Sequence, residues 1–222
     1  MPMPVPIFAT PFAVASVQGG AELNPRLAAL FLSRATENYR DPALPHDPLC
    51  FRSREEVFEW HGEVVGQLQR AILAAVCTAV QAASEHTEAE FAQLRVQARA
   101  RFALVHPNGC LPAATAPMAS WYALYCVTAP PAVADRTDSA ALRVYAIRHG
   151  TMFKDAVNWR LRPPYGDSHY LWRPVAGQVA IFPAAILHEV ALNRSQADLV
   201  LVMVRVRFVE GAQGGEGGPA PW

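Results

Sequence analysis

The pattern of hydrophobic and polar positions changes its period once along the chain, near residue 94. Before this point apolar residues recur at helical spacing, and after it they alternate with polar residues or form short continuous runs. Turns rich in proline and glycine separate the later runs. A chain with its helices first and its strands afterwards is typical of an α+β domain, in which helices support one face of a sandwich or barrel.

The start of the chain predicts an extended segment and then a helix. Residues 5–16 are apolar and interrupted by prolines, as in an edge strand. Asn24 and Pro25 are typical of an N-cap followed by the first helical position. We therefore expect a first helix that begins at this pair and ends near Arg40.

Two possible capping boxes predict further helix starts. Ser53 with Glu56 would begin a long helix, because a stripe of apolar residues at helical spacing follows and reaches Val80. Thr87 with Glu90 would begin a short one.

The second half predicts a succession of strands. Residues 94–104 alternate between apolar residues and Arg or Gln, which indicates a half-buried strand with its basic face toward solvent. Further apolar runs predict strands at 120–128, 142–148, 178–182, 188–192 and 199–209, and possible strand residues at 170–172 lie in a long loop, 150–174. We expect one domain over residues 1–210, with helices mainly in 24–92, strands mainly in 94–209, and a flexible Gly/Pro-rich tail at 211–222.

Composition and charge narrow the class of protein. With 52% hydrophobic and 17% charged residues, 222 residues can bury a sizeable core. The net charge of about zero gives no electrostatic reason to expect a nucleic acid or an anionic membrane as partner. No apolar run approaches a membrane span of roughly 18–20 residues, and the N-terminus lacks the basic region of a signal peptide. We expect a cytoplasmic protein.

One stretch, Gly177–His188, combines a short apolar strand, a Phe-Pro turn and a histidine at the start of the next strand. With the next two residues, the stretch at 177–190 reads GQVAIFPAAILHEV. Three other segments of the chain belong to the same pattern: FATP at 8–11, WYALYCV at 121–127 and VRF at 206–208. With these segments the chain resembles the 2-oxoglutarate/Fe(II) oxygenases. The resemblance implies a double-stranded β-helix (jelly-roll, cupin-like) with supporting N-terminal helices.

The resemblance also implies where a metal site would lie. Such enzymes hold Fe(II) with two residues of an early strand and a distal histidine of a late strand, and an arginine pairs with the far carboxylate of 2-oxoglutarate. The distal histidine corresponds to His188. The early pair corresponds to Ala114 and Ala116, and the arginine corresponds to Leu199. Alanine has no donor atom for iron, and leucine cannot pair with a carboxylate.

The sequence therefore predicts an oxygenase-like protein with a degenerate metal site and no cofactor. His188 would be its general acid or base, and Trp121, Tyr125, Arg148 and His149 would help to bind a small molecule. Aromatic side chains are available around such a pocket: Trp121, Tyr122, Tyr125, Tyr145, Trp159, Tyr165, Tyr170 and Trp172. The protein would be a binding or partner module, or a metal-independent isomerase, cyclase or dehydratase of specialised metabolism. Besides the small molecule, the protein would bind a protein partner, which would be a second copy of this chain or a catalytically active homologue.

The alternative is an active non-haem Fe(II) dioxygenase with rearranged ligands. His149, Asp167 and His169 would then join His188 around the iron. This enzyme would use Fe(II) and 2-oxoglutarate to hydroxylate or oxidatively cyclise a small molecule.

Overall fold

The computed structural model of the chain describes residues 9–146, 155–162, 165 and 169–210. In this part of the chain, two antiparallel sheets face each other, and helices pack on the outer face of the larger sheet. The α+β class expected from the sequence is confirmed.

The larger sheet has six strands in the order β1-β8-β5-β10-β3-β2, and the smaller has four in the order β4-β9-β6-β7. The strands of the larger sheet are β1 (Ala13–Ser16), β2 (Cys50–Arg52), β3 (Arg95–Val105), β5 (Trp121–Thr128), β8 (Gln178–Pro183) and β10 (Leu199–Val209). Those of the smaller sheet are β4 (Leu111–Ala114), β6 (Leu142–Tyr145), β7 (His169–Trp172) and β9 (His188–Val190). The sequence pattern did not predict β2 and β4, which are short and contain few alternating residues.

Three helices accompany these strands: α1 (Gly20–Arg34), α2 (Glu63–Ala82) and α3 (Glu88–Ala92). Short 3-10 turns occupy Val57–Glu59 and Asn158–Arg160. The expected order, helices first and strands afterwards, holds apart from β1 and β2.

The first helix begins earlier than its sequence suggests. Its N-cap is Gly19, and Pro25 lies inside it. The Asn24 side chain does not cap the helix, because its Oδ1 accepts a 2.6 Å hydrogen bond from the Tyr125 hydroxyl. The predicted N-cap at Asn24 was therefore wrong, since a tertiary hydrogen bond uses the group that a cap would need.

One of the two predicted capping boxes forms. Thr87 and Glu90 cap α3 reciprocally, as expected. The Ser53 hydroxyl instead accepts from the Phe102 N–H at 3.0 Å and donates to a neighbouring carbonyl, so it joins β2 to β3. The long helix begins nine residues later than predicted, with Gly62 and not Ser53 as its N-cap.

The long helix α2 has one side against the sheet. Its buried residues, Val65, Leu68, Ile72, Val76 and Val80, follow helical spacing. By length and composition alone, α2 is apolar enough to cross a membrane. Its packing on the larger sheet is that of an amphipathic core helix.

Two hydrophobic cores lie on opposite faces of the larger sheet. In β5, Tyr125 and its odd-numbered neighbours pack under the helices, while Tyr122, Leu124 and Cys126 face the smaller sheet. In β10 the even-numbered valines pack under the helices, and Leu199 and Leu201 face the smaller sheet. We call the first region the helix-side core and the space between the sheets the barrel interior. Because side chains alternate along a strand, residue parity decides which region a side chain enters.

Two arginines of the larger sheet lie on its inner face and are not solvated. Arg101 binds Asp41 at 3.0 Å and Glu55 at 2.6 Å, and Arg205 binds Glu55 as well. These four side chains, which we call the ion cluster, are only 15–21% exposed. The expected solvated basic face of β3 was therefore wrong at Arg101. Glu55, which pairs with both arginines, lies in a turn after β2.

The buried hydrogen bond between Tyr125 and Asn24 should stabilise the fold. Tyr125→Phe leaves the side-chain oxygen of Asn24, Oδ1, without its hydrogen bond in the helix-side core. We expect this to lower the free energy of unfolding by about 1–3 kcal/mol. Urea unfolding at pH 7 measures this cost. Tyr122→Phe, on the other face of the same strand, is the matched control and should cost less, because the Tyr122 hydroxyl has no hydrogen-bond partner in the described part of the chain. Equal losses in both variants would contradict the assignment.

Candidate functional site

His188 lies in the barrel interior at the start of β9. It pairs with Ala114 of β4 on one side and with Val144 of β6 on the other. Directly paired residues of antiparallel strands share a face, with Cβ atoms about 4.5–5.5 Å apart. The side chain opposite His188 on β4 is therefore a methyl group, and Ala114 itself is exposed to solvent.

The imidazole of His188 is held in one orientation. Its Nδ1 lies 2.8 Å from the carbonyl oxygen of Ile186, and since a carbonyl only accepts, Nδ1 carries the proton. The side chain is 7% exposed, and burial lowers its pKa below the usual value, although the Ile186 hydrogen bond opposes this. His188 is neutral at pH 7, and its Nε2 lone pair has no partner among the described residues.

Tyr122 lies beside His188, with ring centroids 4.6 Å apart. The tyrosine is 5% exposed, and its hydroxyl has no hydrogen-bond partner within the ranges that the structure describes. Burial is the main reason that the pKa of Tyr122 lies far above its ordinary value. The hydroxyl therefore keeps its proton and serves as a donor. A donor and an acceptor without hydrogen-bond partners in the described residues therefore lie on neighbouring, mostly buried side chains.

A series of aromatic rings connects this pair to the surface. Phe182 contacts His188 at 5.0 Å and Tyr122 at 5.6 Å between ring centroids. Phe12 stacks on Phe182 at 5.8 Å and meets Tyr170 at 4.8 Å. Tyr170 is 57% exposed. We call Phe12, Tyr170 and Phe182 the aromatic wall.

The ion cluster lies next to Tyr122 on the inner face of the larger sheet. Arg205 is paired with Tyr122 in the register of β10 and β5, and Arg101, Glu55 and Arg205 all act on the Tyr122 pKa. Arg205 also donates to the carbonyl of Pro117 at 3.2 Å, which ties the segment after β4 to the cluster. With two arginines and two carboxylates, the cluster has no net charge.

The described residues do not fit an Fe(II) ion bound in the manner that the resemblance implies. Of the three corresponding ligand positions, only His188 has a donor atom. Ala114 lies opposite it, and Ala116 is buried in the core of the barrel interior. Leu199, at the position of the arginine, is fully buried in the same core. In the described ranges, no group of three or more His, Cys, Asp or Glu side chains could hold a metal ion.

The structure does not bring all the predicted site residues together. Trp121 and Tyr125 lie on the helix-side face of β5, since both are odd-numbered, and so they do not line the barrel interior. His169 pairs with Tyr145, with ring centroids 6.0 Å apart. Its neighbour Tyr170 is the residue that points inward. His169 is thus on the face of the smaller sheet opposite to His188 and cannot share an ion with it.

Arg148, His149 and Asp167 lie outside the described residues. Of the aromatic residues that the sequence made available, Tyr122 lies beside His188, and Trp172 is buried in the core of the barrel interior. Tyr170 lies at the exposed edge against Phe12, which was not among those residues. The alternation of side chains along β5 would have identified Tyr122 as the inward-facing tyrosine if the inward face of that strand had been known.

A large groove lies elsewhere in the described structure. It measures about 980 Å³ and lies between β1, the start of α1 and α2, on the helix side of the larger sheet. Its α2 side is mostly alanine, and it contains neither His188 nor Tyr122. The polar groups described above are therefore a separate site.

Comparison with solved structures identifies the architecture. The structure superposes on a prolyl-4-hydroxylase of Pseudomonas putida with a TM-score of 0.55, 17% identity and coverage of 89% of this chain and 92% of that one. For SnoK, a non-haem alpha-ketoglutarate-dependent carbocyclase from nogalamycin biosynthesis, the TM-score is 0.60, the identity 13% and the coverage 96% and 89%. SnoN is a non-haem alpha-ketoglutarate-dependent epimerase from the same biosynthesis. Its TM-score is 0.55 and its identity 10%, with coverage of 96% of this chain and 86% of that one. No protein-family model and no curated protein matches the chain.

At these identities the likeness shows the fold alone. Together with the two facing sheets, it confirms the resemblance drawn from the sequence. The chain has the double-stranded β-helix fold of the 2-oxoglutarate/Fe(II) oxygenases.

The lowered pKa of His188 should make stability depend on pH. The unfolded chain takes up a proton on this histidine near pH 6.5, and the native state does not. The free energy of unfolding should therefore be fully maintained above pH 6.5 and should decrease below it until the pH reaches the depressed native pKa, by at most about 1.4 kcal/mol per pH unit. Urea unfolding between pH 7.5 and 5 would show a shallower decrease in His188→Gln than in the wild type. Parallel curves would contradict the buried, neutral state of His188.

Proposed function

We propose that this protein binds a small molecule in the barrel interior through Tyr122 and His188, without iron held by the usual three ligands. The observation that carries the proposal is the register of β4 and β9, which sets Ala114 opposite His188. A single histidine leaves too few protein donors for a specific Fe(II) site. The leucine at the position of the cosubstrate-binding arginine supports the same conclusion.

The unpartnered polar groups support binding of a ligand. The polar atoms of mostly buried side chains usually have hydrogen-bond partners in proteins. The Tyr122 hydroxyl and His188 Nε2 would be satisfied by a bound molecule. A mostly apolar wall with a few convergent polar groups is the usual chemistry of a small-molecule site.

His188 also has the chemistry of a proton acceptor. Its neutral state and its fixed Nδ1–H leave Nε2 free to take a proton from a ligand. This supports a metal-independent isomerase, cyclase or dehydratase as the catalytic form of the proposal. The fold neighbours SnoK and SnoN come from nogalamycin biosynthesis, and their likeness supports a role in specialised metabolism.

Metal and cosubstrate binding test the proposal directly. Untagged protein loaded anaerobically with Fe(II) and desalted should retain far less than one iron per chain by elemental analysis. 2-Oxoglutarate should raise the melting temperature no more than succinate does at the same concentration, because no arginine occupies the position of Leu199. One iron per chain, lost in His188→Ala, would overturn the proposal in favour of an active dioxygenase with rearranged ligands.

A gain of metal binding tests the strand register on which the proposal depends. Ala114→His would place a second imidazole across from His188, within reach of a shared cation. We expect its affinity for Co²⁺, measured by calorimetry, to exceed that of the wild type by at least about tenfold, and His188→Ala in the same chain to remove the gain.

Thr115→His is the matched control, because adjacent residues of an extended chain point to opposite sides and Thr115 lies after the irregular pairing between Leu111 and Ala114. It should bind Co²⁺ as weakly as the wild type. Equal affinities of the Thr115→His and Ala114→His variants would contradict the register.

A further inference from the structure

We propose that the barrel interior selects a neutral, planar aromatic compound that carries a hydroxyl group, an inference that rests on the proposed function. Three features of the described structure lead to this class of ligand. They are the donor and acceptor pair, the absence of net charge beside it, and the aromatic wall that leads to it.

The pair of polar groups matches a hydroxyl. The Tyr122 hydroxyl is a donor, and Nε2 of His188 is an acceptor because Nδ1 holds the proton for Ile186. A ligand hydroxyl accepts one hydrogen bond and donates another, so it satisfies both groups at once. A ketone or an ether accepts only and leaves Nε2 unsatisfied. A carboxylate also accepts only, and its charge would face the lone pair of Nε2.

Among the described residues, the two arginines nearest to Tyr122 are already paired and offer no free positive charge to an anionic ligand. Both nearby arginines are bound to carboxylates within the ion cluster: Arg101 to Asp41 and Glu55, and Arg205 to Glu55. The position where a carboxylate-binding arginine would lie holds Leu199 in the apolar core. Transfer of an anion into this region would lose hydration without a compensating ion pair.

The aromatic wall defines the shape of the remainder of the ligand. Its rings continue from exposed Tyr170 through Phe12 to Phe182, which touches both Tyr122 and His188. Flat aromatic compounds pack well on such rings, in offset or edge-to-face contact. Ala114 is exposed and lies opposite His188, so β4 places only a methyl group beside the histidine.

Three naphthalene probes of similar size test the proposal with the intact wild-type protein. 2-Naphthol carries the neutral hydroxyl, 2-methoxynaphthalene only accepts, and 2-naphthoate is anionic at pH 7. Because one hydrogen bond separates the first two probes, we expect 2-naphthol to bind at least about tenfold more tightly than either of the others by calorimetry. Equal affinities for the three probes, or no binding of 2-naphthol, would overturn the inference.

A matched pair of variants assigns probe binding to the site. Tyr122→Phe should weaken the binding of 2-naphthol and of 2-methoxynaphthalene alike, by about tenfold each, because both probes accept a hydrogen bond from the Tyr122 hydroxyl. Tyr39→Phe, which removes a hydroxyl on the helix side near Trp60, should change neither affinity. Unchanged 2-naphthol binding in a folded Tyr122→Phe variant would refute the assignment.

The outcomes separate this inference from the proposed function. If iron is retained stoichiometrically, the proposed function fails whatever the probes do. If iron is not retained and the probes bind without preference, the inference about the ligand fails while the proposed function stands.

Discussion

The structure depends on the double-sided burial of the strands at the centre of its larger sheet. β5 and β10 lie between the helices and the smaller sheet, so most of their apolar residues enter one of two cores. Alternation along the strand then divides the chemistry: Tyr125 completes the helix-side core through Asn24, and Tyr122 brings a hydroxyl into the barrel interior. Two tyrosines three positions apart on one strand thus acquire different roles.

The same alternation brings charge onto the inner face of the sheet. Arg101 and Arg205 have the parity of the inward-facing residues Ala103 and Leu201, and so they cannot both turn to solvent. Glu55, from the turn after β2, binds both of them. Charges this poorly exposed are stable only when paired, and the pairing leaves the surroundings of Tyr122 without net charge. The ion cluster therefore supports the fold and limits what the barrel interior can accept.

Local patterns in the sequence predicted the order of the elements well, because the period of the hydrophobic positions is a local property. The alternation of β3 and the capping box of α3 were correct for this reason. The predictions failed where a side chain serves a distant partner, as Asn24 does for Tyr125 and Ser53 does for Phe102. Tyr122 could not be distinguished from Tyr125 as a site residue, because a strand buried on both sides shows no alternation from which the inward face can be read. The pairing of Ala114 with His188 required the register of two strands that are distant in sequence.

The histidine that first pointed to an iron oxygenase keeps a defined chemical state without the rest of such a site. The Ile186 carbonyl fixes its proton on Nδ1, and burial keeps the ring neutral, so Nε2 is always an acceptor. Neither effect depends on the residues at 114, 116 or 199. Loss of ligands on β4 therefore leaves an oriented base beside a tyrosine that keeps its proton, with a methyl group opposite it. The proposed binding of a ligand hydroxyl by Tyr122 and His188 would use this base, although its expected co-ligands are absent from the described residues.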